Sequence, residues 1–196
     1  MLLKEIISLE TLLCQAETVK LKGSGPGFDG MTADAACIWM RVNGERLLHD
    51  LYNGVYHPMP AVGFAAAGQN GKYRQLSVIG AVDRIIQQCL LDAIGERMEK
   101  VFSPYSYAFR HGRGTAEALK QYCLYGEQYG FASKLDPKAC FDSMSHDVLL
   151  KAIQRYIVPD AALMNILNAC ISQQLFMEGR ITDRTQGVLP RLTHEA

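Results

Sequence analysis

Leu2, Ile6, Leu9 and Leu13 recur at steps of four, three and four, a spacing that predicts one apolar helical face over roughly residues 2 to 20. A glycine-rich run, LKGSGPGFDGM, follows and ends regular structure. Thr32 reads as the N-cap of a helix through about Val42; Gly44 interrupts the pattern, Glu45 to Tyr52 resumes it and Gly54 closes it. Two short apolar runs flank Asn70-Gly71, predicting a hairpin at about 61 to 79. Val82, Ile85, Ile86, Cys89, Leu90, Ala93 and Ile94 then define a helix over about 81 to 99, with Asp83, Arg84, Gln87, Gln88 and Asp92 on its other face.

The second half is more broken. A polar and aromatic loop, SPYSYAFRHGRG, precedes a helix at about 115 to 125, and FASKLDPKACFD reads as a short buried strand carrying Leu135 and Asp136. Ser145 and Asp160 each start a further helix, and Glu178-Gly179 marks a second hairpin before a ragged end. Helices outnumber strands, and the strands come as separate hairpins rather than βαβ units, so the expected class is α+β.

Composition narrows the function classes. Lys plus Arg and Asp plus Glu both number 20 among 196 residues, so the formal net charge is zero and no chain-wide field favours nucleic acid or an anionic membrane. Hydrophobic content of 48% with 20% charged residues is that of a folded protein with a core. The six cysteines have no zinc-ligand spacing and read as reduced thiols. Lys4, Glu5 and Glu10 break the apolar N-terminus, which argues against a signal peptide or membrane span; a cytoplasmic protein is expected.

Three clusters could carry chemistry. Asp136, followed five residues later by Phe141, offers one carboxylate, but on spacing alone an Asp capping a turn is the stronger reading. Two-metal chemistry needs acids from more than one element. Tyr105, Tyr107, Phe109, Arg110, His111 and Arg113 interleave rings with cations in one loop, which suits single-stranded nucleic acid as well as it suits a solvated surface loop. Lys72 and Arg74 on the far arm of the first hairpin fit a phosphate clamp or ordinary protection of a strand edge. The glycine-rich run follows a helix, not a strand, so a linker or backbone-contact loop is a better reading than a phosphate cradle. The five histidines lack metal-ligand spacing, and no nucleophile elbow occurs.

In order and spacing, GFDGMT, LLHDLYNGVYHPMPAV, NGKYRQL, VDRIIQQCLL, SYAFRHGRG and LDPKACFDSMSHDVLLKAI resemble the fingers and first palm elements of group II intron-type bacterial reverse transcriptases, the maturase proteins. The resemblance covers roughly residues 20 to 190. It implies a right-hand polymerase fingers region at 1–125 and an incomplete palm at 126–196, helix-rich with short hairpins. It also implies Asp136 as the first metal-binding carboxylate with the Pro137 carbonyl beside it, and Phe141 as the gate that rejects a 2′-OH. Lys72 and Arg74 would meet the triphosphate, while Arg110, Arg113, Gln186 and Gly187 would face the template. The implied cofactor is Mg²⁺, not tightly held by this stretch alone, and the implied partners are template or intron RNA or an RNA–DNA duplex.

The sequence also departs from that pattern. The run before the hairpin tip is FAAAGQ, without the family's lysine; Gln75 to Ile79 replace a Pro-Leu-Gly-Ile-Pro stretch; Thr185 stands for the proline of Pro-Gln-Gly. No Asp-Asp pair occurs anywhere, and no thumb or basic maturase region is recognisable. The expectation is a truncated or degenerate reverse-transcriptase-like chain, inactive alone. The alternatives are a non-catalytic RNA- or protein-binding module and a remnant whose exposed half-palm drives self-association into a dimer or larger assembly.

Overall fold

A computed structural model describes residues 1–23, 25–67 and 73–189. The elements run Leu3–Ile6 (α1), Leu9–Leu21 (α2), Ala33–Tyr52 (α3), Ala61–Ala67 (β1), Tyr73–Val78 (β2), Ala81–Glu99 (α4), Thr115–Gly126 (α5), His146–Ile157 (α6), Ala161–Ile171 (α7), Leu175–Met177 (β3) and Arg180–Thr182 (β4). The class is α+β, as expected. The tip Asn70-Gly71 and Lys72 lie outside the described residues.

The first helical face is two helices. Ser8 breaks it: its Oγ accepts from the Thr11 N–H at 3.2 Å, and Thr11 Oγ1 accepts from the Ser8 N–H at 2.8 Å, a reciprocal cap that restarts the helix at Leu9. Gly44 does not interrupt α3. A Cβ at that position would stand 2.5 Å from Leu9 Cδ1, so the glycine admits the start of α2 against the helix instead of ending it. Thr32, Ser145 and Asp160 cap α3, α6 and α7 as the sequence predicts. Asp160 does more than cap: its carboxylate accepts from Leu163 N–H at 2.8 Å and from Leu3 N–H at 3.2 Å, tying α1 to the start of α7.

Leu12, Ala16, Met40, Leu47, Leu51, Ile85, Ile86, Leu90, Leu163 and Ile166 are buried in one core shared by α2, α3, α4 and α7. The hairpins are not separate. β1 pairs antiparallel with β2 from Val62↔Val78 to Ala67↔Tyr73, β3 pairs with β4, and β1 also runs parallel to β3 through Ala61↔Leu175 and Val62↔Phe176. The product is one mixed sheet in the order β2-β1-β3-β4.

The glycine-rich run is a backbone-contact loop. A Cβ on Gly27 would meet Gly80 Cα at 2.5 Å, so the loop touches the N-terminus of α4 main chain to main chain. Arg84 Nη2 donates to Gly25 O at 2.9 Å, and the Phe28 ring meets Phe176 of β3 edge-on at 5.1 Å.

The buried strand at Leu135 and Asp136 does not form. Residues 131–137 are irregular and exposed, and 138–143 are turns. A strand needs a neighbour for its N–H and C=O groups; none lies beside this segment among the described residues, and Pro137 has no N–H to offer. No described helix is long and apolar enough to cross a membrane.

Candidate functional site

The loop after α4 is built by its own arginines. Arg110 Nε donates to both Glu99 carboxylate oxygens at 3.0 and 3.1 Å, its Nη1 to Ser103 O at 2.7 Å and Ser106 O at 2.8 Å, and the guanidinium lies 5.4 Å from the Phe102 ring centroid. The Arg110 side chain is 5% exposed. Its hydrogen bonds hold the Glu99 carboxyl below the ordinary range. Arg113 donates to Pro104 O and lies over the Tyr107 ring at 5.8 Å. These cations fix the loop's shape from within. Arg110→Met is expected to leave the helices intact but speed limited proteolysis between residues 103 and 114; cleavage at the wild-type rate would remove Arg110 as the staple.

What the loop turns outward is different. Phe109 has φ 58° and is 83% exposed. With exposed His111 it forms one wall of a cleft whose other walls come from Lys22 at the end of α2, Ser77 on β2, and Arg84 and Gln88 on α4.

A second grouping lies at 136–146. The Gln186-Gly187 segment docks onto it: Gly187 N–H donates to Met144 O at 2.7 Å, Val188 N–H to Phe141 O at 2.8 Å, and Gln186 bridges to Ser145. The buried His146 ring nitrogen Nε2 sits 2.7 Å from Gly187 O. Gly187 has φ 77°, and a Cβ there would meet Asp142 O at 2.7 Å. Phe141, Gln186 and Gly187 are therefore brought together, with Phe141 half in solvent. Asp136 and Pro137 lie exposed on the approach to this turn. Arg74 is exposed on β2 opposite Ala66. Among the described residues no group of three or more His, Cys, Asp or Glu side chains is placed to hold a metal ion.

Sequence reasoning missed a buried polar hub. Tyr56 donates its hydroxyl to Asp83 Oδ1, Met59 N–H donates to Asp83 Oδ2 at 3.2 Å, and Gln173 Nε2 donates to Met59 O at 2.6 Å and lies 3.4 Å from Asp83 Oδ2. Gln87 Nε2 in turn donates to Gln173 Oε1 at 3.3 Å. Asp83 is 3% exposed, and burial lifts its carboxyl to about 6 against the opposing pull of these hydrogen bonds. Burial and the adjacent carboxylate push the Tyr56 hydroxyl up. The hub pins the start of β1 and the start of β3 to the first turn of α4. One signal was available: Asp83 and Arg84 sit inside an apolar run, and Ala81, Ile85 and Ile86 around them are all buried.

Comparison with known proteins adds a family. A model described as reverse transcriptase (RNA-dependent DNA polymerase) matches residues 65–190, from within β1 through the loop, the Asp136 segment and Gln186-Gly187. Protein YkfC of Escherichia coli (strain K12) is 31% identical over 173 residues, 84% of this chain and 45% of that protein. The group II intron-encoded protein LtrA of Lactococcus lactis subsp. cremoris is 28% identical over 133 residues, 66% of this chain and 22% of that protein. The putative COX1/OXI3 intron 1 protein of Saccharomyces cerevisiae is 28% identical over 114 residues, 58% of this chain and 14% of that protein. The chain spans less than half the length of each of these relatives.

Proposed function

Because the chain belongs to the reverse transcriptase (RNA-dependent DNA polymerase) family, we propose that it is the fingers and first palm portion of a group II intron-type enzyme that retains RNA binding but does not polymerise by itself. The observation that carries this reading is the single family match running from the β1–β2 hairpin to Gln186-Gly187 in order. Residues 1–125 correspond to fingers and 126–196 to part of a palm. In this reading Phe141 limits space beside the incoming sugar, Gly187 holds the backbone on which template and nucleotide rest, and Arg74, with Lys72 near it in sequence, contacts phosphate.

The family's transfer of a nucleotide to a primer 3′-OH uses Mg²⁺, with two ions about 4 Å apart held by acids from several elements. The residues present do not fit such a pair. Asp136 is exposed, it belongs to no group of three or more His, Cys, Asp or Glu side chains placed to hold a metal among the described residues, and the 196 residues contain no Asp-Asp pair. No catalytic step is therefore assigned to this chain alone.

Primer extension on an RNA template with Mg²⁺ and dNTPs tests this, run beside filter binding of the same RNA at two salt concentrations. The expected result is no extension and binding that weakens steeply with salt. Extension that disappears in Asp136→Ala would overturn the inactivity and place Asp136 in a working site.

One observation favours a second reading, self-association. Phe131 is 98% exposed, Leu135 is exposed beside Asp136, and α5 buries none of its side chains although Leu119, Tyr122 and Leu124 lie on it. Light scattering at micromolar concentration separates the two: a monomer removes this alternative.

A further inference from the structure

We propose that Phe109 is a stacking platform for an unpaired RNA base at the mouth of the cleft between its loop and α4. The inference rests on the reverse-transcriptase reading and deepens it by naming a contact and its chemistry. Two observations carry it together. An aromatic residue at φ 58° is held in a backbone region that L-residues disfavour, and here it buries little, since Phe109 is 83% exposed. The Arg110 side chain is 5% exposed and bound to Glu99 and to the carbonyls of Ser103 and Ser106, and Arg113 donates to that of Pro104, fixing the turn that presents the ring. A rigid turn holding out one bare aromatic face beside a cleft is the geometry for π-stacking, which accepts any base. Lys22 across the cleft, with its ammonium 3.5 Å from Gln88 Oε1, supplies the positive charge that a backbone phosphate next to the stacked base needs.

A short labelled oligouridine and an abasic strand of the same length, titrated by fluorescence anisotropy, test the stack. Wild-type protein is expected to bind oligouridine more tightly than the abasic strand. Phe109→Leu should weaken oligouridine binding about tenfold, leave the abasic strand unaffected, and keep the same salt slope, because no phosphate contact is lost. Phe109→Trp should bind like wild type. Phe109→Gly should bind as weakly as the leucine variant while its Tm rises by about 2 to 4 °C, since glycine relieves the strained φ. That opposition of stability and binding is not the behaviour of a structural residue. Equal binding by wild type and Phe109→Leu, or an equal loss on both strands, overturns the platform and leaves RNA binding standing. If wild-type protein binds neither strand in a salt-dependent way, the RNA-binding reading falls, and the platform with it.

Discussion

Asp83→Ala is expected to lower the unfolding free energy by about 3 kcal/mol at pH 5 and by about 1–2 kcal/mol less than that at pH 7. The substitution leaves the buried Tyr56 hydroxyl and the Met59 N–H without an acceptor and takes a partner from Gln173. The pH dependence follows from the carboxyl's raised value, about 6 in the folded chain against an ordinary value of 3.8. Between those values folded Asp83 binds more protons than it does in the unfolded chain, so its contribution to wild-type stability falls as pH rises from about 4 to 6 and is level above. Asp83→Ala lacks that slope, which narrows the gap between the two proteins at neutral pH. Urea denaturation of both proteins at the two pH values measures it, and the difference between them cancels the carboxylates they share. An equal gap at the two pH values would mean that Asp83 is ionised in the folded chain throughout.

The second large effect is at Gly187. Gly187→Ala places a methyl 2.7 Å from Asp142 O and 2.9 Å from Phe141 O, both main-chain atoms that cannot swing aside, at a φ of 77° that alanine disfavours. The segment must lift, breaking the Gly187 to Met144 and Val188 to Phe141 hydrogen bonds, at a cost of about 2–4 kcal/mol for the docked state. Hydrogen exchange at these two amides is expected to lose most of its protection while α2, α3 and α4 keep theirs. Gln186→Ala, on an exposed side chain, should change neither. Retained protection in Gly187→Ala would show that the turn at 141–144 yields.

Local chemistry was legible in the sequence. Thr32, Ser145 and Asp160 announce their helices because a cap is a contact between residues three apart. Gly44 was misread because a glycine that ends a helix and one that admits a neighbour look the same until the neighbour, Leu9, is known. The strand at Leu135 was misread because strand pattern describes a half-buried surface, and this segment has no strand beside it. The merging of two hairpins into one sheet depends on Ala61 meeting Leu175, for which periodicity carries no signal. At the candidate site the loop was found by composition, but the exchange of roles between its arginines and Phe109 follows from Glu99, eleven residues before Arg110. Asp83 read as part of a helix's polar face, and only the arrival of Tyr56, Met59 and Gln173 makes it interior.

The clamp that Gln173 makes on Met59 joins residues 114 apart in sequence, and the bond from Leu3 to Asp160 joins residues 157 apart. Closing such long loops is slow relative to forming helices and hairpins. During synthesis α1 to α4 and the first hairpin leave the ribosome well before α7 and β3 exist, so the early chain carries a core open on one side and a strand, β1, with one edge unpaired. The order of emergence therefore makes the arrival of α7 and β3 the step that closes this core, and the interval before it the time when an unpaired β1 can join a neighbouring nascent chain instead.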